Sequence, residues 1–495
     1  MNVFLMYRDQ PYTAQPLPAQ ANVLIWDLEL EIILNHMAGS DEFIKRTAQE
    51  ILLSGLTRTD EIVYRQDVLK DCLVLPEEVK AMFEVACTAV ENDPYKHLGI
   101  YRETPGNILS GSVKALGLFI PMLEDLKNIS GRILKKTSSE GLRRFCEMLR
   151  DELSESYLTT MRRYLKKLEL KNGVFLSAEL GETAIKPNAY ILHDNPPAKK
   201  RGFLFSRKNA APGFMLADRD DVGSRILSEM RDAGLTDIAD ATAQACDHIR
   251  DFFLTLKTEL AFYIGCINLA HELKRIRMPI AYPMSHPPGT MQFSCDNLYS
   301  ISLALIKQTR ITGNTIDGND KKLIVVTGAN QGGKTTFLRS VGQAQIMMQC
   351  GMFVAGDVYS SSISSVFTHF KREEDASMKS GKLDEELERM SEIVKSINPD
   401  DLLLMNESFA ATNEREGSEI ASQVVSSLLE SSIRIIFVTH FYQFANAFYE
   451  QERSDYLFLR AGRQNNPDEK FRLLPGKPQI TSYGMDIYNK VFIQS

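Results

Sequence analysis

Residues 322–336 read KLIVVTGANQGGKTT, and this stretch decides the fold of the second half of the chain. KLIVVT is predicted to form a β-strand, and the glycine-rich residues after it satisfy the Walker A pattern, in which Gly328 and four further residues precede Gly333, Lys334 and Thr335. Small residues let backbone N–H groups wrap a triphosphate, and the start of the following helix adds partial positive charge. The stretch therefore predicts an ATP-binding loop between a strand and a helix; the alternative is a chance glycine-rich turn.

Side chains of this loop have predicted roles in holding the nucleotide and its metal ion. Lys334 is expected to pair with the β and γ phosphates of ATP, and the Thr335 hydroxyl is expected to bind Mg²⁺ directly. The predicted cofactors are therefore ATP and Mg²⁺. The predicted nucleotide-binding residues of the loop are Gly328, Ala329, Asn330, Gln331, Gly332, Gly333, Lys334, Thr335 and Thr336.

A second predicted strand brings polar residues toward the same site. DLLLMNE, residues 401–407, ends with Asn406 and Glu407. Asn406 stands where an aspartate is usual, so it is expected to reach Mg²⁺ through a bound water and to weaken the affinity for the metal. Glu407 is predicted to be the general base that accepts a proton from the attacking water. The alternative for this pair is a helix cap after the strand.

A third predicted strand, IRIIFVTH, delivers His440 at its carboxyl end. Open α/β sheets bind their ligands at the carboxyl ends of their strands. His440 is therefore predicted to sense the γ phosphate, although a single histidine in such a place is more often structural.

The remaining sequence predicts several domains. Apolar spacings of three and four indicate a helical core domain over 1–172. Residues 173–220 are predicted to form a small β insertion with a basic loop, and residues 221–279 to form long lever helices, with one continuous helix over 236–276. Prolines near its start mark an α/β region over 280–495. The predicted core residues of one helix of the first domain are Leu109, Val113, Leu116, Ile120, Leu123 and Leu126.

Composition limits the classes of function. The 495 residues are 44% hydrophobic and 24% charged, which is usual for a folded protein of several domains. A formal net charge of -7 confines any DNA contact to local basic patches. The seven cysteines contain no CxxC pair, which argues against a zinc site or a disulfide framework. The opening residues do not read as a signal peptide, and no uninterrupted apolar run is long enough to span a membrane, so we expect a cytoplasmic protein without a membrane partner.

The ordered motifs resemble the ATPase domain of the MutS mismatch-repair family over residues 280–487. The family's TGxNxGGKST appears as TGANQGGKTT, the segment after its Walker helix as QCGMFVAGD, and its IFTR as VFTH, with His369 in place of arginine. Its DExxxGT pattern with a later glycine appears as NESFAATNEREG, and ITGNTID resembles the segment whose asparagine approaches the adenine, here Asn314. Residues shared with the later family motifs are Glu407, Thr412, Gly417, Thr439, His440, Phe441, Ser482, Tyr483 and Gly484.

The resemblance implies both a fold and an activity. The implied fold is an α/β P-loop (ABC-type, MutS-like) ATPase domain at the C-terminus, preceded by a mainly α-helical core and lever region with a small β insertion. The implied activity is slow ATP hydrolysis by a homodimer. The family's GxFYE pattern and its C-terminal helical tail are not found, so we expect a MutS-related protein that lacks the N-terminal mismatch-recognition domain.

One family contact is altered in this sequence. Family members carry a serine–threonine pair that reaches the γ phosphate of the other subunit, and Leu383 and Asp384 stand at those places here. Ser380 or Lys382, just ahead of the predicted helix, is the candidate to make the contact with the γ phosphate of the other subunit instead. The alternative is a helix-capping loop.

The segment KKRGFLFSRK, residues 199–208, is the candidate DNA contact. It contains no acid and interleaves its cations with two phenylalanines, a composition suited to phosphate neutralisation and base stacking. The alternative is a solvated loop. The candidate DNA-binding residues are Lys199, Lys200, Arg201, Arg207 and Lys208.

Two functions remain open on the sequence. The favoured one is a homodimeric ATPase that binds mismatched, branched or otherwise unusual DNA in repair or recombination, with an unidentified repair-protein partner. The alternative is a nucleotide-switched dimeric scaffold that recruits protein partners without binding DNA. A transporter-type ATPase is disfavoured because the sequence contains no LSGGQ-like segment, and a GTPase because it contains no NKxD segment.

Overall fold

The chain forms two compact units in a computed structural model. Unit 1 comprises Met1–Val3, Glu77–Thr137 and Arg143–Lys257, and unit 2 comprises Phe4–Pro76, Ser138–Leu142 and Thr258–Ser495. The domain boundaries predicted after residues 172, 220 and 279 stay predictions. The residues that the structure describes are 1–92, 104–171, 173–180, 187–193, 215–217, 219–328, 332–372, 381–462 and 471–479.

The helices and strands are numbered in chain order over the described residues. The helices are α1 (Ala21–Asp27), α2 (Leu30–Ala38), α3 (Glu42–Leu53), α4 (Thr59–Val74), α5 (Pro76–Glu91), α6 (Pro105–Ile133), α7 (Glu140–Glu152), α8 (Glu155–Leu168), α9 (Asp221–Arg275), α10 (Ile301–Lys307), α11 (Lys334–Gln349), α12 (Lys382–Ser396), α13 (Glu414–Glu430) and α14 (Tyr442–Tyr449). The strands are β1 (Phe175–Leu180), β2 (Pro187–His193), β3 (Ile280–Ala281), β4 (Met284–His286), β5 (Phe293–Leu298), β6 (Asn314–Asp317), β7 (Leu323–Thr327), β8 (Val354–Ala355), β9 (Val358–Ser362), β10 (Val366–Phe370), β11 (Leu402–Asn406), β12 (Arg434–Val438), β13 (Tyr456–Ala461) and β14 (Leu473–Pro475).

Unit 1 is mainly helical, as predicted. α6 begins where Thr104 caps the helix by accepting a hydrogen bond from the backbone N–H of Asn107, with Pro105 at the first helical position. All six apolar residues predicted as the core stripe of this helix are buried. The two predicted strands are present as the antiparallel hairpin β1–β2. α9 belongs to unit 1 up to Lys257 and to unit 2 from Thr258; it covers the continuous helix predicted over 236–276 to within one residue, and it begins earlier.

Unit 2 is built on a six-stranded sheet in the order β10-β11-β12-β7-β13-β14. The first five of these strands are parallel, and β14 pairs antiparallel with β13, as the hairpin-like sequence predicts. Every residue of β7, β10 and β12 is buried, which is typical of parallel strands covered on both faces. The predicted α/β arrangement at the C-terminus is therefore confirmed, whereas its assignment to the ABC type stays a prediction.

A buried polar network in unit 2 holds the first residues of that unit. The carboxylate of Glu259, on α9, accepts hydrogen bonds from the backbone N–H groups of Leu5, Met6 and Tyr12 at 2.7, 3.2 and 2.9 Å. The guanidinium of Arg65 donates to the carbonyl oxygen of Met6. Because Glu259 is fully buried, these bonds replace the water that the carboxylate would otherwise bind.

Two helices among the described residues are long and apolar enough to cross a membrane by length and composition. They are Pro105–Ile133 and Asp221–Arg275, and 50% and 72% of their apolar windows are buried inside the protein. Burial of this kind is typical of core helices in soluble proteins. The expectation that the chain has no membrane partner stays a prediction.

Candidate functional site

The carboxyl ends of three parallel strands meet at one edge of the six-stranded sheet. β11 and β12 pair in register at Asn406 and Val438, and β12 and β7 pair at Val438 and Val326. The segments that follow these strands therefore leave the sheet side by side. Ligands of open α/β sheets bind at such an edge.

The loop after β7 needs glycine at both of its described turns. Gly328 and Gly333 have φ angles of 119° and 87°, and a Cβ at Gly328 would lie 2.8 Å from the backbone nitrogen of Ala461. Gly333 is the N-cap of α11, so no side chain caps this helix. The start of a helix of this length favours anions. The predicted loop residues Ala329, Asn330 and Gln331 lie outside the described residues.

The side chain of Lys334 is buried at the start of α11. Its Nζ donates a 2.7 Å hydrogen bond to the carbonyl oxygen of Gly328, at the other end of the loop. Burial lowers the pKa of Lys334, and the negative charge of Glu407 acts in the opposite direction. The ammonium group therefore lies across the loop and experiences the negative charge of Glu407.

The two predicted metal-site residues contact each other. The hydroxyl of Thr335 donates a 3.0 Å hydrogen bond to Oδ1 of Asn406. Neutral oxygens so close together suit a hard cation that keeps most of its waters. The described residues contain no group of three or more His, Cys, Asp or Glu residues that could hold a metal ion. These residues fit Mg²⁺ only as a site that the phosphates of a nucleotide complete.

Glu407 stands at the tip of β11 in an unusual backbone conformation. Its φ is 51°, in the left-handed region, and its N–H donates a 2.8 Å hydrogen bond to the carbonyl oxygen of Val438 on the neighbouring strand. The residue is half-buried. A carboxylate fixed at the strand tip and partly open to solvent can accept a proton from a water molecule.

A cavity of about 440 Å³ lies beside the loop and joins most of the predicted residues. Its lining also contains residues that sequence reasoning missed: Lys307 and Arg310 at and after the end of α10, and Phe471 before β14. Phe471 is 39% exposed and has a φ of 64°. No local motif marks these three residues. They are distant in sequence from the glycine-rich loop and meet it only in the folded chain. The predicted residues that line the cavity are Asn314, Gly332, Gly333, Lys334, Thr335, Thr336 and Glu407.

Asn314 lines the cavity, but its amide group is bound to the backbone. Its Oδ1 accepts a 2.7 Å hydrogen bond from the N–H of Leu473, and its Nδ2 donates to the carbonyl oxygen of Phe471 at 3.5 Å. The side chain therefore holds the segment that carries Phe471 at the cavity wall.

His440 emerges from the same sheet edge but does not line the cavity. It follows β12, its side chain is exposed, and its ring centroid lies 4.8 Å from that of Phe441. The neighbouring Thr439 is buried, and its hydroxyl accepts a hydrogen bond from the N–H of Phe441. The role of His440 as a phosphate sensor stays a prediction.

Several predicted residues lie elsewhere. Lys382 is exposed and is the first residue of α12, and Gly381 is its N-cap. Ser380 lies outside the described residues, as does the closing motif at 482–484. The predicted DNA-binding residues also lie outside them: Lys199, Lys200, Arg201, Arg207 and Lys208.

The fold and the site define a class of protein with a glycine-rich loop and a strand-tip carboxylate at one edge of a parallel sheet. Comparison with known families makes this class specific. A family described as MutS2 N-terminal domain matches residues 57–276, and a family described as MutS domain V matches residues 324–494. The chain belongs to the MutS family. The sequence motifs anticipated the second match, whereas no motif pointed to the first.

Individual relatives match over shorter stretches. MutS protein homolog 4 of Mus musculus is 30% identical over 132 residues, which are 26% of this chain and 14% of the relative. Endonuclease MutS2 of Bacillus velezensis is 28% identical over 140 residues, or 28% of this chain and 18% of the relative. Endonuclease MutS2 of Lacticaseibacillus casei is 26% identical over 246 residues, or 47% of this chain and 30% of the relative. The matched parts are less than a third of each relative.

Proposed function

We propose that the chain binds ATP with Mg²⁺ and hydrolyses it slowly at the sheet edge of unit 2. The observation that carries this proposal is the joint placement of Lys334, Thr335 and Glu407 around one cavity. A cation, a hydroxyl and a carboxylate have different roles in phosphoryl transfer, and the fold brings all three to one place.

In this proposal the loop binds the phosphates of the nucleotide and the cavity wall binds its base. The start of α11 and the ammonium of Lys334 neutralise the β and γ phosphates. Phe471 and Ile311, both in the cavity lining, offer apolar surface to the base, and Asn314 acts behind them by fixing the Phe471 segment. This assignment moves Asn314 from direct contact with adenine to support of the residue that makes the contact.

Thr335 and Asn406 would hold Mg²⁺, which when bound offsets negative charge on the phosphates. Thr335 would supply a direct oxygen ligand, and Asn406 would bind one of the metal's waters through Oδ1. Because Asn406 brings no charge, the protein's own contribution to metal affinity is small. The low charge of this pair is one reason to expect slow turnover.

Glu407 performs the proton transfer in this proposal. A water oxygen attacks the γ phosphorus, the bond from that phosphorus to the bridging oxygen breaks, and ADP leaves with the electron pair. The proton of the attacking water passes to the carboxylate of Glu407. His440, which follows β12, the strand next to β11, is proposed to respond to the γ phosphate.

We further propose that the chain acts as a homodimer on mismatched, branched or otherwise unusual DNA in repair or recombination, in the cytoplasm. Membership of the MutS family supports a DNA partner, and the basic segment at 199–208 is the proposed contact. Two of the relatives described above are called endonucleases.

Nucleotide binding and phosphate release test the proposal together. Lys334→Ala should abolish tight binding of ATP, because it removes the charge that offsets the β and γ phosphates. Glu407→Gln should keep ATP binding and slow phosphate release, since an amide can orient water but is not a base. Calorimetric titration and a phosphate-release assay measure the two effects. Unchanged nucleotide affinity in Lys334→Ala would refute the assigned loop, and wild-type turnover in Glu407→Gln would refute the assigned base.

A DNA-binding assay tests the second part. Wild-type protein is titrated with duplex, mismatched and four-way-junction DNA at several salt concentrations, with and without ATP. Preference for one unusual structure supports the proposal. If no structure is bound at low salt in either nucleotide state, the DNA role is wrong and the protein-recruiting scaffold takes its place.

A further inference from the structure

A fully buried histidine contacts the residue that follows the proposed base. His369 lies in β10, one residue before the end of that strand, and its side chain has no solvent exposure. Its Nδ1 lies 2.7 Å from the hydroxyl of Ser408, and the same hydroxyl lies 2.8 Å from the carbonyl oxygen of His369. Ser408 is itself fully buried. One residue of β10 thus meets the turn after Glu407 with both its ring and its backbone.

The turn that His369 contacts is strained. Glu407 and Phe409, on either side of Ser408, have φ angles of 51° and 64°. Non-glycine residues in this region cost on the order of 1–3 kcal/mol each, and they persist only where the surroundings fix them. The ring of Phe409 packs against that of His369 with a centroid distance of 5.5 Å. The histidine therefore contacts both residues that follow Glu407.

The other ring nitrogen of His369 is tied to α12. Its Nε2 lies 3.0 Å from the backbone carbonyl oxygen of Glu386. Burial raises the pKa of the Glu386 carboxyl, whereas the charge of Arg389 and the backbone N–H groups of Phe409 and Ala411 act in the lowering direction. His369 is thus held between a helix and the turn, and it cannot rotate without breaking one of these contacts.

The hydrogen-bond partners fix the tautomer of the ring. A carbonyl oxygen only accepts, so the contact with Glu386 requires a proton on Nε2. Burial, followed by the positive charges of Arg389 and Arg372, lowers the pKa of His369 to about 4. The ring is therefore neutral at pH 7 with Nδ1 unprotonated, so the hydroxyl of Ser408 shares its one proton between two acceptors, Nδ1 and the carbonyl oxygen of His369. This is a directed contact on the turn and not only a filled space.

We infer that His369 is a positioning residue for ATP hydrolysis, which fixes the carboxylate of Glu407 at the cavity through its Nδ1 contact with Ser408. The inference rests on the proposed function, in which Glu407 is the base. Glu407 lines the cavity, whereas neither His369 nor Ser408 does, so the effect is indirect. Removal of this hydrogen bond should relax the strained turn and move the carboxylate away from the attacking water.

Two substitutions of His369 distinguish the hydrogen bond at Nδ1 from the hydrogen bond at Nε2. Asparagine places its Oδ1 near the position of Nδ1, so His369→Asn keeps an acceptor for Ser408 and removes the hydrogen bond to Glu386. Glutamine places its amide nitrogen near Nε2, so His369→Gln keeps the hydrogen bond to Glu386 and removes the one with Ser408. Ser408→Ala removes the Nδ1 contact from the other side, together with the bond of the hydroxyl to the carbonyl oxygen of His369. These three variants, with wild type, are assayed for phosphate release over a range of MgATP concentrations.

The expected result is a change in kcat without a change in KM. His369→Gln and Ser408→Ala should lower kcat by at least about tenfold, since a displacement of about 1 Å can cost up to a hundredfold, and should leave KM for MgATP within about twofold. Their double variant should be no worse than Ser408→Ala alone, because both substitutions remove the hydrogen bond between position 369 and the Ser408 hydroxyl. His369→Asn should retain most of the wild-type kcat. A purely structural histidine would instead give similar kcat values in all variants that fold.

Matched controls keep the outcomes distinct. His286 also pairs with a serine: it is the last residue of β4, in a four-stranded sheet of order β4-β9-β5-β6, and its Nε2 lies 2.7 Å from the hydroxyl of Ser360. His286→Asn and His286→Gln should both leave kcat unchanged. If Glu407→Gln slows hydrolysis but His369→Gln and Ser408→Ala turn over as wild type, the inference is wrong and the proposed function stands. If His369→Asn loses as much kcat as His369→Gln, the Nδ1 contact is not the cause and the inference is also wrong.

Two further outcomes complete the test. If Glu407→Gln turns over at the wild-type rate, the proposed base fails and the inference fails with it. If the His369 variants do not fold, which thermal unfolding reveals, Ser408→Ala decides alone, because it deletes one hydroxyl and leaves the ring in place.

Discussion

The buried carboxylate of Glu259 should make the stability of unit 2 fall as the pH rises from 5 to 8. Burial raises the pKa of Glu259 from its ordinary value of 4.5 to about 7, although the N–H groups of Tyr12, Leu5 and Met6 and the charge of Arg65 act in the lowering direction. The folded state therefore binds a proton more tightly than the unfolded state. The stabilisation is complete below the unfolded pKa of 4.5 and is lost as the pH rises through about 7.

The magnitude follows from the two pKa values. The difference between 4.5 and about 7 corresponds to roughly 3 kcal/mol of unfolding free energy at 1.36 kcal/mol per pKa unit. Between pH 5 and pH 8, proton linkage with these values gives a loss of roughly 2 to 3 kcal/mol. Glu259→Gln should remove this slope, since an amide does not titrate in this range.

Urea unfolding at pH 5, 6, 7 and 8, for wild type and Glu259→Gln, measures the effect. The variant should be less stable at every pH, because its amide NH₂ group would face backbone N–H donors that the carboxylate accepts from. The difference between the two proteins should therefore shrink from pH 5 to pH 8. Glu272→Gln is the control on the same helix: a hydrogen bond from Arg275 lowers the pKa of Glu272, so its contribution is lost only at lower pH. A difference between wild type and Glu259→Gln that stays constant from pH 5 to 8 would refute the reasoning.

Two predictions concern the metal and the DNA. Asn406→Asp should lower the Mg²⁺ concentration at half-maximal ATPase rate, because a carboxylate restores an anion next to the Thr335 hydroxyl. An unchanged midpoint in a magnesium titration would contradict this; the maximal rate is a poorer guide, since the new charge also lies next to Glu407. Serine at all five basic positions of 199–208 should flatten the slope of log affinity for DNA against log salt, by nearly one unit for each phosphate that is no longer neutralised, while ATP hydrolysis without DNA continues. If affinity and slope both match the wild type, the segment is a solvated loop. The five positions are Lys199, Lys200, Arg201, Arg207 and Lys208.

The elements of the site that the sequence predicts are those set by local pattern. A short apolar run followed by glycines, as at 323–333, specifies a buried strand and a loop because both are determined by neighbouring residues. The pairing of Thr335 with Asn406 also follows from pattern, since each residue directly continues a predicted parallel strand or the loop after it. The order of these strands in the sheet then brings their carboxyl ends together.

The features of the site that the sequence does not predict depend on contacts between residues that are far apart in the chain. Resemblance places Asn314 near the nucleotide, but its amide partner Leu473 is 159 residues away, and no local feature announces that bond. Phe471 enters the cavity for the same reason. His440 shows the converse case: the strand end is predicted correctly, yet the residue that follows it does not line the cavity. Periodicity gives the direction of a side chain but not which distant segment it meets.

Arg65 connects α11, the helix after the glycine-rich loop, to residues of unit 2 that are distant in the sequence. Its Nη1 donates a 3.1 Å hydrogen bond to the carbonyl oxygen of Cys350, just after the end of α11, and its Nε donates to the carbonyl oxygen of Met6. The backbone turns sharply at Gly351, where φ is 78° and a Cβ would lie 2.7 Å from Cβ of Arg65. Glycine there is what allows the approach. Since the N–H of Met6 is held by Glu259 on α9, the helix that begins at the phosphate-binding loop ends on a buried polar network shared with α9. A substitution of Arg65 by methionine would keep most of the packing and remove both hydrogen bonds, leaving buried carbonyl oxygens without a donor; its cost therefore measures the network and not the volume of the side chain.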